Sequence, residues 1–151
     1  MYGRGVTSIA RITAADRDDW DRLWQAYITF YESSVPGDVS DATFARLLDD
    51  AELHGAIARD ADGRAIGLVH WLTHPATWST GLYTYLEDLF VDPESRGSGT
   101  GRALIEHVRA WAQDHGAHKV YWLTQSHNAT ARALYDKVAV STGFVHYEIE
   151  L

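Results

Sequence analysis

Residues 83–105 read YTYLEDLFVDPESRGSGTGRALI and contain the pattern that decides the fold. The apolar run from Tyr83 to Val91 predicts a β-strand, which Asp92-Pro93 ends. The stretch that follows is rich in glycine, and it leads into a helix whose apolar face consists of Leu104, Ile105, Val108 and Trp111. The sequence therefore predicts a strand, a glycine-rich turn and an amphipathic helix in succession.

The glycine-rich turn, Arg96-Gly97-Ser98-Gly99-Thr100-Gly101-Arg102, places several backbone N–H groups at the positive end of the predicted helix. Its glycines let the backbone come close to phosphate oxygens, and the two flanking arginines add positive charge. The turn lacks the Gly-Lys-Ser/Thr of a P-loop and the third glycine of the Rossmann spacing. We therefore predict a pyrophosphate-binding turn, with a simple helix-capping turn as the alternative.

The remaining patterns predict helices around a sheet. In chain order they give a first strand through Val6, Ile9 and Ile12, a helix capped by Thr13, a second helix from Ser40 or Asp41, a hairpin of His54–Arg59 and Ala65–Leu72 around Asp62-Gly63, a strand Lys119–Thr124, a helix from about Asn128 to beyond Tyr135, and a closing strand Phe144–Leu151. With the two elements above, the order is β-α-α-β-β-β-α-β-α-β. This order predicts an α/β fold with a central mixed, mostly antiparallel sheet flanked by helices, in one domain over residues 1–151.

Composition limits the partners of the chain. The 13 Lys and Arg against 21 Asp and Glu give a net charge of -8, which disfavours nucleic acid and anionic membranes and favours a cationic small molecule or basic peptide. The absence of Cys excludes disulfides and thiolate nucleophiles, and the eight His lack metal-ligand spacing. The first twelve residues lack the apolar run of a signal peptide, and no apolar stretch is long enough to span a membrane. We expect a cytoplasmic protein without a metal.

Two motifs carry a resemblance to a known family. Arg96-x-x-Gly99-x-Gly101, preceded by Leu89–Glu94, resembles the cofactor-binding motif of the GNAT superfamily of N-acetyltransferases. Asn128-x-x-Ala131-x-x-Leu134-Tyr135 is similar to its second signature, and Gly143-Phe144 to its closing turn. The segment Tyr85–Val91 further resembles the diamine (spermidine/spermine) and thialysine acetyltransferase branch. In that branch the closing glycine follows the tyrosine more closely, whereas Lys137–Thr142 intervenes here.

The resemblance implies a GNAT-like acyl-CoA N-acyltransferase fold with acetyl-CoA as the acyl donor. It implies donor contacts by Leu89, Phe90, Val91, Arg96, Gly97, Ser98, Gly99, Thr100, Gly101, Arg102, Asn128 and Tyr135. It also implies that Tyr135 protonates the departing CoA thiolate and that a backbone N–H near Leu89–Val91, where the strand splays from its neighbour, binds the oxyanion. From the residues alone, Tyr135 could equally be a core aromatic, and Asn128 a helix N-cap.

Acyl transfer to an amine needs a base, because a free amine is mostly protonated at neutral pH. Glu87 and Asp88 are the candidates, and following the resemblance we favour Glu87. Adjacent strand residues point to opposite faces unless a β-bulge re-aims one of them. Either carboxylate would also attract a cationic acceptor, whose pocket Trp71, His74 and Trp78 either line or support by packing.

The function expected is therefore direct transfer of an acetyl group from acetyl-CoA to a primary amine, that of a small polyamine-like molecule or an amino acid. A protein or peptide lysine is the second acceptor. A CoA-binding module without turnover and a nucleotide-binding regulator are the alternatives from other classes. A homodimer is also expected, with the aromatic-rich first helix as a possible contact.

Overall fold

The computed structural model describes residues 5–6 and 8–151. The elements are β1 (Ser8–Arg11), α1 (Arg17–Phe30), α2 (Gly37–Asp49), β2 (His54–Arg59), β3 (Ala65–Pro75), β4 (Leu82–Val91), α3 (Thr100–Asp114), β5 (Ala117–Tyr121) and α4 (Ala129–Val138), with 3-10 turns at Ala14–Asp16 and Pro93–Ser95. They fall into two compact units, the first ending at Tyr121 and the second comprising Trp122–Leu151. A single domain over 1–151 stays a prediction.

The first unit contains a five-stranded sheet in the order β1-β2-β3-β4-β5. The first three pairings are antiparallel, and β4 pairs with β5 in parallel. Parallel neighbours need a crossover, and α3 provides it between β4 and β5. The predicted mixed, mostly antiparallel sheet flanked by helices is therefore confirmed. In the part of the chain that the structure describes, no helix is long and apolar enough to cross a membrane.

Helices cover both faces of this sheet. The face of α1 that carries Trp20, Leu23, Trp24 and Ile28 is buried, as helical spacing requires. On β3, His70 contacts the rings of Trp20 and Trp24, whereas its neighbour Trp71 contacts Trp111 of α3. The alternation of side chains along a strand thus directs His70 to the α1 face and Trp71 to the α3 face.

The predicted closing strand is wrong. Residues 139–151 form neither helix nor strand, and Phe144 and Tyr147 are 93% and 90% exposed. Apolar and polar residues do alternate from Val145 onward. Alternation shows only that a segment is able to form a strand, not that it forms one. A strand exists when a neighbour accepts its hydrogen bonds, and the structure pairs this segment with none of the described strands.

Smaller differences concern where elements begin and end. Helix α2 begins at Gly37 rather than at Ser40 or Asp41, because the Pro36 carbonyl already accepts the N–H groups of Val39 and Ser40. The Ser40 hydroxyl instead accepts a hydrogen bond from the Trp24 indole at 3.1 Å. Strand β5 ends at Tyr121, before the predicted Thr124. The predicted first strand is shortened to Ser8–Arg11, and Thr7 lies outside the described residues.

Asp92 fixes the point where β4 passes into the glycine-rich turn. Its carboxylate is 8% exposed and lies 3.1 Å from Arg22 Nη1 and 3.4 Å from Arg64 Nη2. Its backbone N–H donates to the Ile66 carbonyl at 2.8 Å. A short chain of ion pairs therefore ties the end of β4 to α1 and to the β2–β3 hairpin.

Replacing Asp92 with Ala is expected to lower the free energy of unfolding by about 2–3 kcal/mol, because two guanidinium groups lose a buried partner. The full penalty of a buried pair does not apply, since both arginines are about half exposed. Urea unfolding followed by circular dichroism measures the change. Glu94→Ala is the control: Glu94 also pairs with Arg64 but is 77% exposed, so a loss below about 1 kcal/mol is expected. Equal losses would contradict this role of Asp92.

Candidate active site

The glycine-rich turn presents open backbone at the start of α3. Gly97 and Gly99 have φ of +80° and +84°, a region that residues with a Cβ rarely adopt. Apart from the two chain neighbours of each glycine, no atom of the described residues lies within 4 Å of where a Cβ would be. The first helical hydrogen bond joins the Ala103 N–H to the Gly99 carbonyl, so the N–H groups of Gly101 and Arg102 precede the helical ladder. These amides and the helix dipole form a site for an anion.

The polar side chains of the turn have separate tasks. The Ser98 hydroxyl donates to the Ser95 carbonyl and lies 2.9 Å from the hydroxyl of buried Thr100. Arg96 donates from Nε to the Val91 carbonyl at 3.2 Å, while Arg102 is exposed. Ser98 and Thr100 therefore shape the turn from within, while the two arginines place positive charge beside it.

Strand β4 has one open edge above this turn. β5 pairs with it only over Leu82–Tyr85, so within the described residues of the first unit the stretch from Leu86 to Val91 pairs with β3 alone. Because the Asp92 N–H donates to the Ile66 carbonyl, alternation directs the Phe90 N–H toward β3 as well. The N–H groups of Leu89 and Val91 therefore point to the open edge. The side chain of Phe90 is 5% exposed and belongs to the core.

A β-bulge lies at Glu87. His70 pairs with Asp88 and Trp71 with Leu86, so Glu87 is the extra residue of β4. On a regular strand, Glu87 and Asp88 would point to opposite faces, but a bulge re-aims one side chain. Burial, then the charge of Asp88 and, to a smaller extent, that of Glu87 raise the pKa of Tyr27 in α1. Both carboxylates therefore act on the same phenol.

The surroundings of this pair shift several pKa values. Glu87 is exposed on one side, yet the protein around its carboxylate, and then the charge of Asp88, raise the pKa of Glu87 above its ordinary value. Burial, and then Asp88, also raise the pKa of Tyr27 and of Tyr31. The pKa of Tyr85 is raised by burial and then by Glu87. The phenols of Tyr27, Tyr31 and Tyr85 therefore stay protonated near the two carboxylates. Negative charge beside aromatic rings is suited to a cationic ligand.

Sequence reasoning missed the partner that His70 provides for Asp88. His70 Nδ1 lies 2.9 Å from Asp88 Oδ2, and Trp20 donates from Nε1 to His70 Nε2 at 3.0 Å. These three residues lie on three elements far apart in sequence. The sequence offered one signal, which is that His70 lies beside Trp71 in a predicted apolar strand. This position indicated a buried histidine but did not identify the residues that it contacts.

The second unit contains the second motif. Asn128 precedes α4, and its side-chain oxygen accepts the Ala131 N–H at 3.3 Å, so its predicted role as N-cap is confirmed. Tyr135 lies on α4, partly buried, with its ring 5.4 Å from that of Trp122 at an angle of 67°. The motif thus builds a capped helix whose tyrosine packs edge-on against an indole.

The suggested acceptor residues Trp71, His74 and Trp78 do not form a group. Trp71 is 3% exposed and packs toward α3, whereas Trp78 is 93% exposed. His74 Nε2 lies 2.8 Å from the Tyr121 hydroxyl. For Trp71 the packing alternative is therefore correct. Among residues 5–6 and 8–151, no group of three His, Asp or Glu side chains could hold a metal ion.

Comparison with known proteins identifies the family of the chain. Residues 20–139 match the model of the acetyltransferase (GNAT) family. The chain is 39% identical over 142 residues to the D-amino-acid N-acetyltransferase HPA3 of Saccharomyces cerevisiae, covering 93% of this chain and 88% of that protein. It is 32% identical over 91 residues to the thialysine N-epsilon-acetyltransferase of Caenorhabditis elegans, covering 60% of this chain and 56% of that protein.

Solved structures show the same fold. The aminoglycoside N-acetyltransferase AAC(6')-Iy in complex with CoA superimposes with a TM-score of 0.83 at 22% identity, covering 99% of both chains. Because the GNAT family model matches residues 20–139, the chain belongs to the GNAT family and is an acetyl-CoA-dependent N-acetyltransferase.

Proposed function

We propose that the enzyme acetylates the primary amine of a small cationic molecule, an amino acid or a polyamine-like amine. The observation that carries this proposal is the bulge in β4, which places Glu87 and Asp88 side by side a few residues before the anion-binding turn. An anionic donor and a cationic acceptor would then bind to the two ends of one short segment. The net charge of -8 favours the same acceptor class.

The proposed reaction is direct transfer. Glu87 accepts a proton from the ammonium group, and the free amine attacks the thioester carbonyl. The N–H of Leu89 or Val91 at the open edge of β4 stabilises the oxyanion that forms. The intermediate collapses with cleavage of the C–S bond, and Tyr135 donates its proton to the departing CoA thiolate. The nitrogen loses its second proton as the amide forms, and this proton restores the Tyr135 phenol, while Glu87 releases its proton to solvent. The amine ends as an amide and CoA as a thiol, with no acyl-enzyme.

The donor is proposed to bind along the turn. The backbone N–H groups of Gly101 and Arg102 and the charges of Arg96 and Arg102 would hold its pyrophosphate. Ser98 and Thr100 would contribute by shaping the turn, and Gly97 and Gly99 by leaving its surface open. Leu89, Phe90 and Val91 would contact the donor's arm through their backbone. Asn128 and Tyr135 are further proposed donor contacts.

The relatives support an amine acceptor without fixing which one. The yeast relative is named for D-amino acids and the nematode relative for thialysine. Both acceptors carry an amino group that is positively charged at neutral pH, as the carboxylate pair would require. A lysine side chain on a protein is the second proposed acceptor, because it offers the same group.

The test is release of CoA thiol from acetyl-CoA with a panel of D- and L-amino acids, thialysine, diamines, polyamines and basic peptides. Turnover of one or more free amines, with acetylated product identified by mass spectrometry, supports the proposal. Turnover of peptides alone would replace it with the lysine alternative. CoA binding in calorimetry without turnover of any amine would contradict catalysis.

Gly99→Ala is expected to raise the KM for acetyl-CoA about tenfold with little change in the KM for the amine. A Cβ at φ of +84° forces the turn to shift the amides at the start of α3. Gly63→Ala is a matched control, because Gly63 has φ of +78° in the β2–β3 hairpin and also has open space at its Cβ. Steady-state kinetics on both variants decide the matter. The same rise in Gly63→Ala would mean that backbone strain alone weakens binding.

A homodimer and a cytoplasmic location remain proposals. Trp20 and Trp24 of α1 are buried in their own unit. A dimer contact through the aromatic residues of α1 and its end would therefore have to use the exposed Phe30 and Tyr31. Exposed Tyr147 and Ile149 in the second unit offer further apolar surface. The net negative charge of the chain disfavours binding to nucleic acid or to an anionic membrane. Light scattering after size exclusion measures the oligomeric state.

A further inference from the structure

A buried chain of hydrogen bonds runs from α1 through β3 to the carboxylate pair. Trp20 Nε1 donates to His70 Nε2 at 3.0 Å, and His70 Nδ1 lies 2.9 Å from Asp88 Oδ2. Trp20 has no exposed surface, and the side chains of His70 and Asp88 are 5% and 15% exposed. This chain of hydrogen bonds thus leads from the protein interior to the edge of the proposed acceptor site.

The indole determines the tautomer of His70. An indole N–H can only donate, so His70 Nε2 must accept and carries no proton. The single proton of the ring is therefore on Nδ1, where it can donate only to Asp88. A second proton on Nε2 would bring two donors together at 3.0 Å inside the core. Trp20 thus keeps the ring neutral and directs its one N–H to the carboxylate.

The surroundings hold the ring in this orientation. The rings of Trp20 and Trp24 lie with their centroids 6.1 and 5.4 Å from that of His70. Gly55 is opposite His70 on β2, and a Cβ there would lie 3.3 Å from His70 Cδ2 and 2.6 Å from Ile12 Cδ1. The imidazole is therefore packed against two indoles and against the backbone of Gly55.

Asp88 accepts a hydrogen bond from His70, which donates from Nδ1 to one of its oxygens. On the other element packed here, α1, burial and then the charge of Asp88 raise the pKa of Tyr27. The hydrogen bond from His70 fixes the position of the Asp88 carboxylate. Glu87, the bulged residue beside it, is the more exposed of the two. The structure thus distinguishes a fixed carboxylate from an accessible one.

We propose that Trp20 and His70 are positioning residues, which fix the Asp88 carboxylate so that it binds the cationic acceptor while the adjacent Glu87 takes the acceptor's proton. This inference rests on the proposed amine acetylation. It assigns different tasks to the two carboxylates, which the sequence did not distinguish. The titratable or charged groups that face the pair are His70 of β3, Tyr27 and Tyr31 of α1, Arg46 of α2 and Tyr85 of β4.

The first test is the pH profile of kcat/KM for the amine in His70→Leu. Without the Nδ1–H donor, the two adjacent carboxylates take up a shared proton more readily. The acid limb of the profile is then expected to move up by about one pH unit. His70→Asn retains an N–H near the position of Nδ1 and is expected to restore the wild-type limb. A lower rate with an unmoved limb in His70→Leu would mean a merely structural role and overturn the proposal.

Trp20→Phe tests the same arrangement in the opposite direction. Loss of the indole N–H frees Nε2 of His70 to take a proton at low pH, and the positive charge then favours ionised Glu87. The acid limb is expected to move to lower pH. Thermal melting identifies variants that fail to fold. A move to higher pH, as in His70→Leu, would show that Trp20 acts only by packing and would overturn its assignment.

Nuclear magnetic resonance tests the geometry without turnover. Long-range ¹⁵N–¹H spectra of the wild-type protein are expected to show His70 neutral and protonated on Nδ1 at pH 6. Protonation on Nε2, or on both nitrogens, would overturn the proposal. If no amine is acetylated, the proposed function fails, and this spectrum still decides whether Trp20 and His70 hold the ring as described.

Discussion

Glu87→Gln is expected to lower kcat/KM for a primary amine by about 10²–10³-fold at pH 7, which is the usual contribution of a general base. Gln cannot accept the proton that the ammonium group must lose before it attacks the thioester. The rate is expected to recover as pH rises toward the pKa of the amine, because the amine then reacts without a base. Initial rates of CoA thiol release from pH 6 to 10 measure both effects.

The wild-type profile should show the base itself. Glu87 must be ionised to act, and desolvation followed by the charge of Asp88 raises its pKa. Activity should therefore be full at neutral pH and, as the pH decreases, should begin to fall at a higher pH than for an ordinary glutamate. Glu52→Gln is the control, since Glu52 is 84% exposed in the same unit and a wild-type profile is expected. An unchanged profile in Glu87→Gln would remove Glu87 as the base.

Tyr135→Phe is expected to lower kcat by about 10²–10³-fold while the KM values for both substrates change little, because only the proton for the CoA thiolate is lost. The phenylalanine ring keeps the edge-on contact with Trp122, so the helix should remain intact. Steady-state kinetics with both substrates varied measure this split.

The matched control is Tyr147→Phe, which removes a hydroxyl from a tyrosine of the same unit that is 90% exposed. Wild-type kinetics are expected for it. Equal kcat values for Tyr135→Phe and the wild-type enzyme would show that another group protonates the thiolate. A higher KM for acetyl-CoA with unchanged kcat would assign the Tyr135 hydroxyl to binding instead.

Local patterns predicted most of the fold. The hairpin of β2 and β3 follows from two apolar runs around Asp62-Gly63, and Gly63 has the positive φ that such a turn needs. The turn before α3 follows from glycines whose conformation depends on neighbouring residues only. The closing strand failed for the opposite reason. Strand formation in Phe144–Leu151 depends on a partner that the alternation of its own residues does not specify.

The features of the candidate site divide in the same way, into those that nearby residues specify and those that distant segments specify. The amino-acid sequence by itself determined the glycine-rich turn, the capped helix of Asn128 and the presence of two adjacent carboxylates, because each depends on residues within a few positions of one another. Only the tertiary structure decided that a bulge lies at Glu87, and that Trp20 and His70 form a hydrogen-bonded chain to Asp88. Bulges and buried hydrogen bonds arise from the pairing of distant segments, and no local pattern encodes that pairing.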